Sequence, residues 1–266
     1  MSTRARLKLI ETVLITSFLY NAEAYPTFTN EESRMLEGVQ GKMLRDLLQV
    51  PMSTPYLPLL LESGMWTMEG RLSYKKLMLF QNIMNSDDDR LIKNIVTEQK
   101  RTRRPGTWYY SVTKLIEKYE IVETHDELKS TWKRHVKERI ATTIEEEIRW
   151  GCSKMSKGRT VVTDEFRMKD YLSVVDVNQA SDILKVRLHM SALPCNYGDK
   201  NDCWLCSEDG VTTEHYLRCP GTLLLRECLG ILEISLGTQE INELIKVSQF
   251  FKKLEERCVL FKNNLK

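Results

Sequence analysis

The chain has 266 residues, enough for one large domain or two modest ones, and 42% of them are hydrophobic. Its formal net charge is only +2, which excludes a polycation, so any nucleic-acid surface must come from local clustering of basic residues. The seven cysteines are an odd number and do not resemble the disulfide framework of a small secreted protein, so we expect a reducing compartment, the nucleus or the cytoplasm.

The N-terminal segment 9–20 is apolar and follows three basic residues, which is also the outline of a secretory signal. However, Glu11 interrupts the apolar run, and the run is too short for a membrane span. We therefore interpret the segment as a helix and expect no membrane contact. Its buried side is predicted to carry Leu9, Val13, Ile15, Phe18 and Leu19.

Helical patterns then follow one another up to residue 149. Thr29 and Glu32 have the spacing of a capping box at the start of a helix that stops before Pro51. Further helices are predicted from Met68 to Met84 and from about Asp126 to Arg149, because apolar residues recur there every three or four positions.

Basic residues concentrate in two places in this helical part, residues 100–104 and residues 133–137. Residues 100–104 are the densest cluster and precede three aromatic residues, an arrangement that suits phosphate contact and base stacking. The aromatic residues have core spacing, however, and the alternative for the basic ones is a solvated linker or a solvated helix face. The candidate phosphate contacts in these two places are Lys100, Arg101, Arg103, Arg104, Lys133, Arg134 and Lys137.

Residues 151–159 break the helical pattern and carry three cations. We place a domain boundary at this break, between a helical region of residues 1–150 and a second region of residues 151–266. The three cations and one arginine of the following helix are further candidate phosphate contacts: Lys154, Lys157, Arg159 and Arg187.

The second region contains a C-x2-C pair followed by an H-x3-C pair. The four residues are Cys203, Cys206, His215 and Cys219. Tetrahedral zinc takes four sulfur or nitrogen ligands, and a C-x2-C turn supplies two thiolates from one narrow loop. A short helix capped by Thr212 or Thr213 would place the second pair on one face. Because the protein fills all four positions, the pattern predicts one structural zinc ion, not a catalytic one.

Four residues in or near this knuckle leave alternatives open. The first two cysteines taken alone would also suit a redox pair or ordinary buried thiols. Cys195 is a substitute ligand in principle, but its place eight residues before the pair favours a small buried side chain. Trp204 either stacks on a nucleic-acid base or packs on the zinc-binding segment.

Two helices are predicted beyond the knuckle, over residues 223–232 and 241–265. The second has a clear apolar stripe at helical spacing. The predicted fold class is therefore mainly α: a multi-helix bundle, then a small zinc-knuckle region with the knuckle at residues 203–219, and C-terminal helices.

Four further segments of the sequence are informative when taken together: residues 9–25, 36–66, 170–197 and 214–220. Their informative residues are Leu19, Tyr20, Glu23, Gln40, Arg45, Pro51, Ser53, Thr54, Pro55, Glu62, Gly64, Tyr171, Leu172, Arg187, Met190, Asn196 and the Glu-His and Cys-Pro of the knuckle. Through these residues the four segments resemble, in the same order, the C-terminal part of non-LTR (LINE-like) retrotransposon reverse transcriptases. In that family a helical thumb and a connecting region follow the palm and precede a CCHC zinc knuckle.

The resemblance implies a parent activity of RNA-directed DNA synthesis, but the three carboxylates that hold its catalytic metals are missing from this sequence. The acidic run 87–89 lacks the aromatic residue and the flanking apolar strands of that active site. We therefore expect no catalytic residue and no enzymatic activity. The expected function is that of a non-catalytic fragment or remnant of the polyprotein that binds RNA or DNA without sequence preference, with a separate palm domain as a second candidate partner. The alternative is a zinc-stabilised helical protein-interaction module.

Overall fold

The structure, a computed structural model, describes residues 2–122, 129–155, 161–162, 165–196, 202–231, 233–234 and 236–264. Helices account for 69% of the described residues, which include no β-strand. The predicted mainly-α fold class is therefore confirmed. None of the described helices combines the length and the apolar character that a membrane span requires.

The α-helices, in chain order, are α1 Thr3–Leu9, α2 Ile15–Phe18, α3 Asn30–Leu48, α4 Tyr56–Ser63, α5 Met68–Met84, α6 Leu91–Thr102, α7 Trp108–Lys118, α8 Lys129–Ser153, α9 Tyr171–Val174, α10 Val177–Arg187, α11 Leu223–Leu229 and α12 Ile241–Asn264. A π-helical turn, Ile10–Leu14, lies between α1 and α2. Short 3-10 helices span Ala22–Ala24, Pro194–Asn196, Thr213–Leu217 and Pro220–Thr222. The helix predicted from Met68 to Met84 agrees with α5 at both ends.

The chain forms two compact units. The knuckle unit consists of Met1–Leu7, Leu44–Gly64 and Arg149–Lys266, and the helical unit consists of Lys8–Met43 and Met65–Ile148. The change of unit after Ile148 lies close to the boundary predicted at residue 150. The units differ from the predicted division into residues 1–150 and 151–266 because two N-terminal segments belong to the knuckle unit.

Helix α3 begins with the predicted capping box. The backbone N–H of Thr29 donates to Glu32 Oε2 at 2.7 Å, and the backbone N–H of Glu32 donates to Thr29 Oγ1 at 3.2 Å. Each residue thus satisfies a backbone donor that the first turn of a helix leaves without an intrahelical partner. The prediction of a helix start at this point is confirmed.

The core of the helical unit lies where α5, α6 and α7 pack on one another. The Phe80 ring of α5 lies 5.8 Å from the Tyr109 ring of α7, and the Tyr119 hydroxyl lies 3.3 Å from Ser73 Oγ. On α8, Trp132 and two aliphatic residues one and two turns further on are buried, as the apolar stripe predicts. Packing of these amphipathic faces supplies the stability that short isolated helices lack in water.

The buried face of the first helix differs from the predicted one. Ile15 and Leu19 are buried, but Leu9, Val13 and Phe18 are 46%, 49% and 49% exposed. The reason is the π-helical turn, which has an i to i+5 repeat, so the buried position after Ile10 is Ile15 and not residue 13 or 14. The prediction placed all its apolar residues on one regular α-helical face, and this part of it was wrong.

The core of the knuckle unit forms around the packing of α10 on α12. The α12 stripe predicted from the sequence is fully buried, and the rings of Phe250 and Phe251 meet edge to face at 5.1 Å between centroids. The cysteines Cys203 and Cys219 and the nearby Tyr216 belong to the same buried cluster. The C-terminal helix therefore provides the apolar support on which the knuckle rests.

A buried ion pair explains why the segment with α4 belongs to the knuckle unit. Arg187 Nε and Nη2 donate to Glu62 Oε1 at 3.0 and 2.8 Å, and both side chains are at most 1% exposed. The Tyr171 hydroxyl donates to Glu62 Oε2 at 2.5 Å, and Arg187 Nη1 donates to the Thr238 carbonyl at 3.1 Å. The bonds to Glu62 join residues that are more than a hundred positions apart in the sequence.

Candidate metal centre

The first two cysteines lie in a tight loop held by backbone hydrogen bonds. The Cys203 N–H donates to the Glu208 carbonyl at 2.8 Å, and the Ser207 N–H donates to the Cys203 carbonyl at 2.7 Å. The Leu205 N–H lies 3.4 Å from Cys203 Sγ, so a backbone donor points at that sulfur. A donor in this position stabilises a thiolate, which is the form of cysteine that binds a metal.

The second pair of residues is joined by one helical backbone bond. The Cys219 N–H donates to the His215 carbonyl at 2.7 Å, which is an i to i+4 bond just after a 3-10 helix. The two side chains are thus neighbours, as predicted. The predicted side-chain cap is absent at Thr212, and the Thr213 hydroxyl donates instead to Asn196 Oδ1 at 2.8 Å.

The four predicted ligands come together in one cluster. Their ligand atoms all lie within 4.8 Å of one another. Cys203 Sγ lies 3.7 Å from Cys219 Sγ, and Cys206 Sγ lies 3.4 Å from His215 Nε2. This cluster can hold a metal ion. Cys195 is not a member of it, which agrees with the interpretation of that residue as an ordinary thiol.

The electrostatics of the cluster favour a bound cation. Burial and neighbouring thiols raise the pKa of Cys219 to about 12. A thiol with this pKa keeps its proton at neutral pH, unless a cation takes the place of that proton and stabilises the thiolate. Three thiols and an imidazole whose ligand atoms all lie within 4.8 Å of one another form a donor set that suits a metal ion.

A carboxylate outside the cluster orients the histidine. Glu208 Oε2 lies 3.4 Å from His215 Nδ1, on the side of the ring opposite the thiols. This contact favours the tautomer with its proton on Nδ1 and leaves the lone pair of Nε2 for a metal. Glu208 was not among the residues predicted from the sequence to belong to the site. Its position in the loop between the two pairs, beside a metal-ligating histidine, is the signal that could have identified it.

The segment that follows the last ligand packs tightly on the loop. A Cβ added to Gly221 would lie 2.6 Å from the Leu205 Cβ, so only glycine fits this approach. Arg226, itself buried, donates from Nη2 to the Cys219 carbonyl at 3.1 Å. The backbone on both sides of the cluster is thus fixed by contacts that do not involve a metal.

Trp204 packs against the hydrophobic cluster of the knuckle unit and is half-buried. Of its two predicted roles, packing next to the knuckle agrees with this position, because a stacking platform for a nucleic-acid base needs an open ring face.

The basic residues predicted to contact phosphate have different surroundings. In the helical unit Arg101, Arg103 and Arg104 are exposed at the end of α6, and Lys100 is half-buried. Arg101 pairs with Glu98 at 2.7 Å. Three more exposed cations lie together on the solvent side of α8: Lys133, Arg134 and Lys137.

Of the four phosphate contacts predicted in the second region, Arg187 was predicted wrongly. Arg187 is 1% exposed and paired with Glu62, so its guanidinium is not accessible to a nucleic-acid phosphate. The sequence could not distinguish it from a surface arginine, because its partner lies far away in the chain. Lys154 is exposed and lies over the Trp150 ring, whereas Lys157 and Arg159 fall outside the described residues.

No protein-family model matches the chain, and comparisons with curated proteins and with solved structures find no similar protein. The proposals for its function therefore depend on the metal centre, the exposed basic residues and the resemblance of the four sequence segments.

Proposed function

We propose that the chain is a non-catalytic nucleic-acid-binding module stabilised by one structural zinc ion, equivalent to the thumb, connecting region and zinc knuckle of a non-LTR retrotransposon reverse transcriptase. The observation that carries the proposal is the cluster of three cysteines and one histidine. Its C-x2-C and H-x3-C spacing and its position after a series of helices are those of the family that the sequence resembles.

Two distances within the cluster match those of a tetrahedral zinc site. Zinc binds sulfur at about 2.3 Å and imidazole nitrogen at about 2.0 Å, so a tetrahedral site separates two sulfurs by about 3.8 Å and a sulfur from a nitrogen by about 3.5 Å. The cluster has 3.7 Å between Cys203 Sγ and Cys219 Sγ and 3.4 Å between Cys206 Sγ and His215 Nε2. Four protein ligands leave no position for a catalytic water, so the ion would serve to hold the fold.

Nucleic acid would bind through the exposed cations of the helical unit. Arg103 and Arg104 follow one another where α6 ends, and the α8 cations share one face, so each group can contact successive phosphates. Contacts of this kind bind by releasing counterions, so affinity is expected to depend steeply on salt and weakly on sequence.

The test is binding of the zinc-loaded full chain to fluorescent single-stranded RNA and double-stranded DNA over about 50 to 200 mM salt. The double variant Arg103→Gln/Arg104→Gln is expected to weaken binding and to reduce the slope of log affinity against log salt by about 0.7–0.9 for each phosphate that is no longer neutralised. The matched control is Lys253→Gln, an exposed lysine of α12 in the knuckle unit. No binding at the lowest salt, or equal weakening in the control, would refute the proposal.

The exposed apolar side chains favour a second candidate function, a zinc-stabilised helical protein-interaction module. Leu9, Val13 and Phe18 are each about half exposed on the N-terminal helix of the helical unit, and Leu91 is 74% exposed at the start of α6. Exposed apolar groups of this kind mark surfaces that bind proteins, here a palm domain supplied in trans or another partner. A chain that carries zinc but binds no nucleic acid at low salt would favour this function.

A further inference from the structure

The helical unit contains a cavity that the metal centre and the basic clusters do not use. Its volume is about 680 Å³, which is in the range of small-molecule sites. It is lined by residues of α3, α5 and α7 and by the segment 26–28 before α3. Apolar side chains make up part of its wall, and they are Phe28, Leu36, Leu72 and Leu115.

A buried lysine lies in the wall of this cavity. Lys76 of α5 is 5% exposed, and its Nζ donates to the Pro26 carbonyl at 2.9 Å and to Ser111 Oγ at 3.2 Å. The Ser111 hydroxyl in turn donates to the Trp108 carbonyl at 2.7 Å, which leaves its oxygen lone pairs for the ammonium. Both oxygens that accept from the Nζ atom are therefore held in place.

The surroundings of Lys76 lack a matching negative charge. Among the described residues no carboxylate lies within ion-pair distance of its Nζ, and an ammonium has three donors, of which these two oxygens occupy two. Burial lowers the pKa of Lys76 to about 8, so the group is still mostly charged at neutral pH. A buried cation without a counter-ion costs free energy, which a bound anion would offset.

The other charged groups around the cavity do not supply that anion. Glu37 Oε1 accepts a hydrogen bond from the Glu69 backbone N–H at 3.0 Å, and Glu69 Oε1 pairs with Lys118 at 2.9 Å. Arg34 and Lys114 add positive charge to the lining, and the Tyr110 ring lies beside Lys114. The wall thus combines cations, acids with partners of their own and apolar side chains.

We propose that this cavity binds a small molecule with one anionic headgroup, a carboxylate or a phosphate, on an apolar body. An oxygen of the headgroup accepts a hydrogen bond from the third N–H of the Lys76 ammonium, and the apolar body lies against the leucine and phenylalanine side chains. This function is separate from metal binding and from contact with nucleic-acid phosphates, because all of the lining residues belong to the helical unit and none is a predicted phosphate contact.

The experiment is calorimetric titration of the full chain with three probes: octanoate, octyl phosphate and octan-1-ol. At least one of the two anions is expected to bind saturably with one site per chain and at least about tenfold more tightly than the alcohol, which has the same apolar body. The comparison of the two anions separates a carboxylate site from a phosphate site. Saturable binding of neither anion, or equal affinity for anion and alcohol, would overturn the proposal.

Two variants test the site itself. Lys76→Met keeps the length of the side chain and removes its charge, and it is expected to weaken anion binding at least about tenfold with little change for octan-1-ol. The matched control Lys253→Met should leave all affinities unchanged. If Lys76→Met does not fold, Leu115→Trp decides, because it fills the cavity and should weaken all three probes. Anion affinity that is unchanged in the folded variant, or unchanged by the filled cavity, overturns the proposal.

Discussion

Removing one partner of the buried ion pair in the knuckle unit is expected to destabilise that unit strongly. Arg187→Met removes the paired cation from the Glu62 carboxylate, whose side chain is 0% exposed, and of the side-chain hydrogen bonds described here the one from the Tyr171 hydroxyl is left. Loss of one partner from a buried pair costs about 3–5 kcal/mol, because the remaining charge is neither solvated nor paired. That is a large share of the about 5–15 kcal/mol that stabilises a typical domain.

The double variant tests whether the two charges depend on each other. In Glu62→Leu/Arg187→Met both charges are gone and apolar groups of similar size take their place, so the free energy of unfolding is expected to recover to within about 2 kcal/mol of wild type. The control Lys185→Met lies on the same helix and removes a half-exposed pair with Asp182, which is worth at most about 1 kcal/mol.

Urea unfolding followed by circular dichroism, with hydrogen exchange of α4 and α10, measures these free energies. Exchange is needed because a chain of two compact units can unfold in more than one step, and then a single transition does not define one free energy. If Arg187→Met were destabilised by less than about 1 kcal/mol, or if the double variant were as unstable as the single one, the account of a buried and mutually dependent pair would be refuted.

Three further predictions concern single residues. Gly64→Ala should cost at least about 2 kcal/mol in urea unfolding, because Gly64 has a φ of 64° and its added Cβ would lie 2.4 Å from the Met168 backbone nitrogen; a stable variant would contradict the close approach. Glu208→Ala should weaken zinc affinity about tenfold in a chelator competition, since it removes the group that orients His215, and unaltered affinity would exclude that role. The stability of Lys76→Met relative to wild type should fall as the pH rises from about 8 to about 10.5, because burial lowers the folded-state pKa of Lys76 to about 8 and the unfolded chain then binds more protons than the folded chain over this range; a difference in unfolding free energy that is constant with pH would contradict the prediction.

The sequence was sufficient to predict the fold class and the metal cluster because both depend on local patterns. The capping box of Thr29 and Glu32, the bounds of α5 and the buried stripe of α12 follow from spacing that is set within one or two helical turns. The four ligands likewise lie within a segment of 17 residues, Cys203 to Cys219, where two short motifs determine which side chains meet.

The features that the sequence did not reveal depend on distant parts of the chain or on irregular backbone. Arg187 looks like any helical arginine until the fold places Glu62 against it. The π-helical turn after α1 shifts the buried face by one residue, and no spacing rule for regular helices anticipates it. The Lys76 cavity requires three helices and the segment before α3, so no short motif marks it.

The most direct test of the account is the zinc content of the purified full chain, measured by elemental mass spectrometry on the wild type, Cys203→Ser and Cys195→Ser. We expect one zinc ion per chain in the wild type and in Cys195→Ser, whose thiol lies outside the cluster. Cys203→Ser should lose the ion and unfold the knuckle unit, because a structural metal contributes directly to folding. A wild-type chain purified without chelator that holds no zinc and takes up none when it is added, or a Cys203→Ser chain that retains a full equivalent, would contradict the central claim.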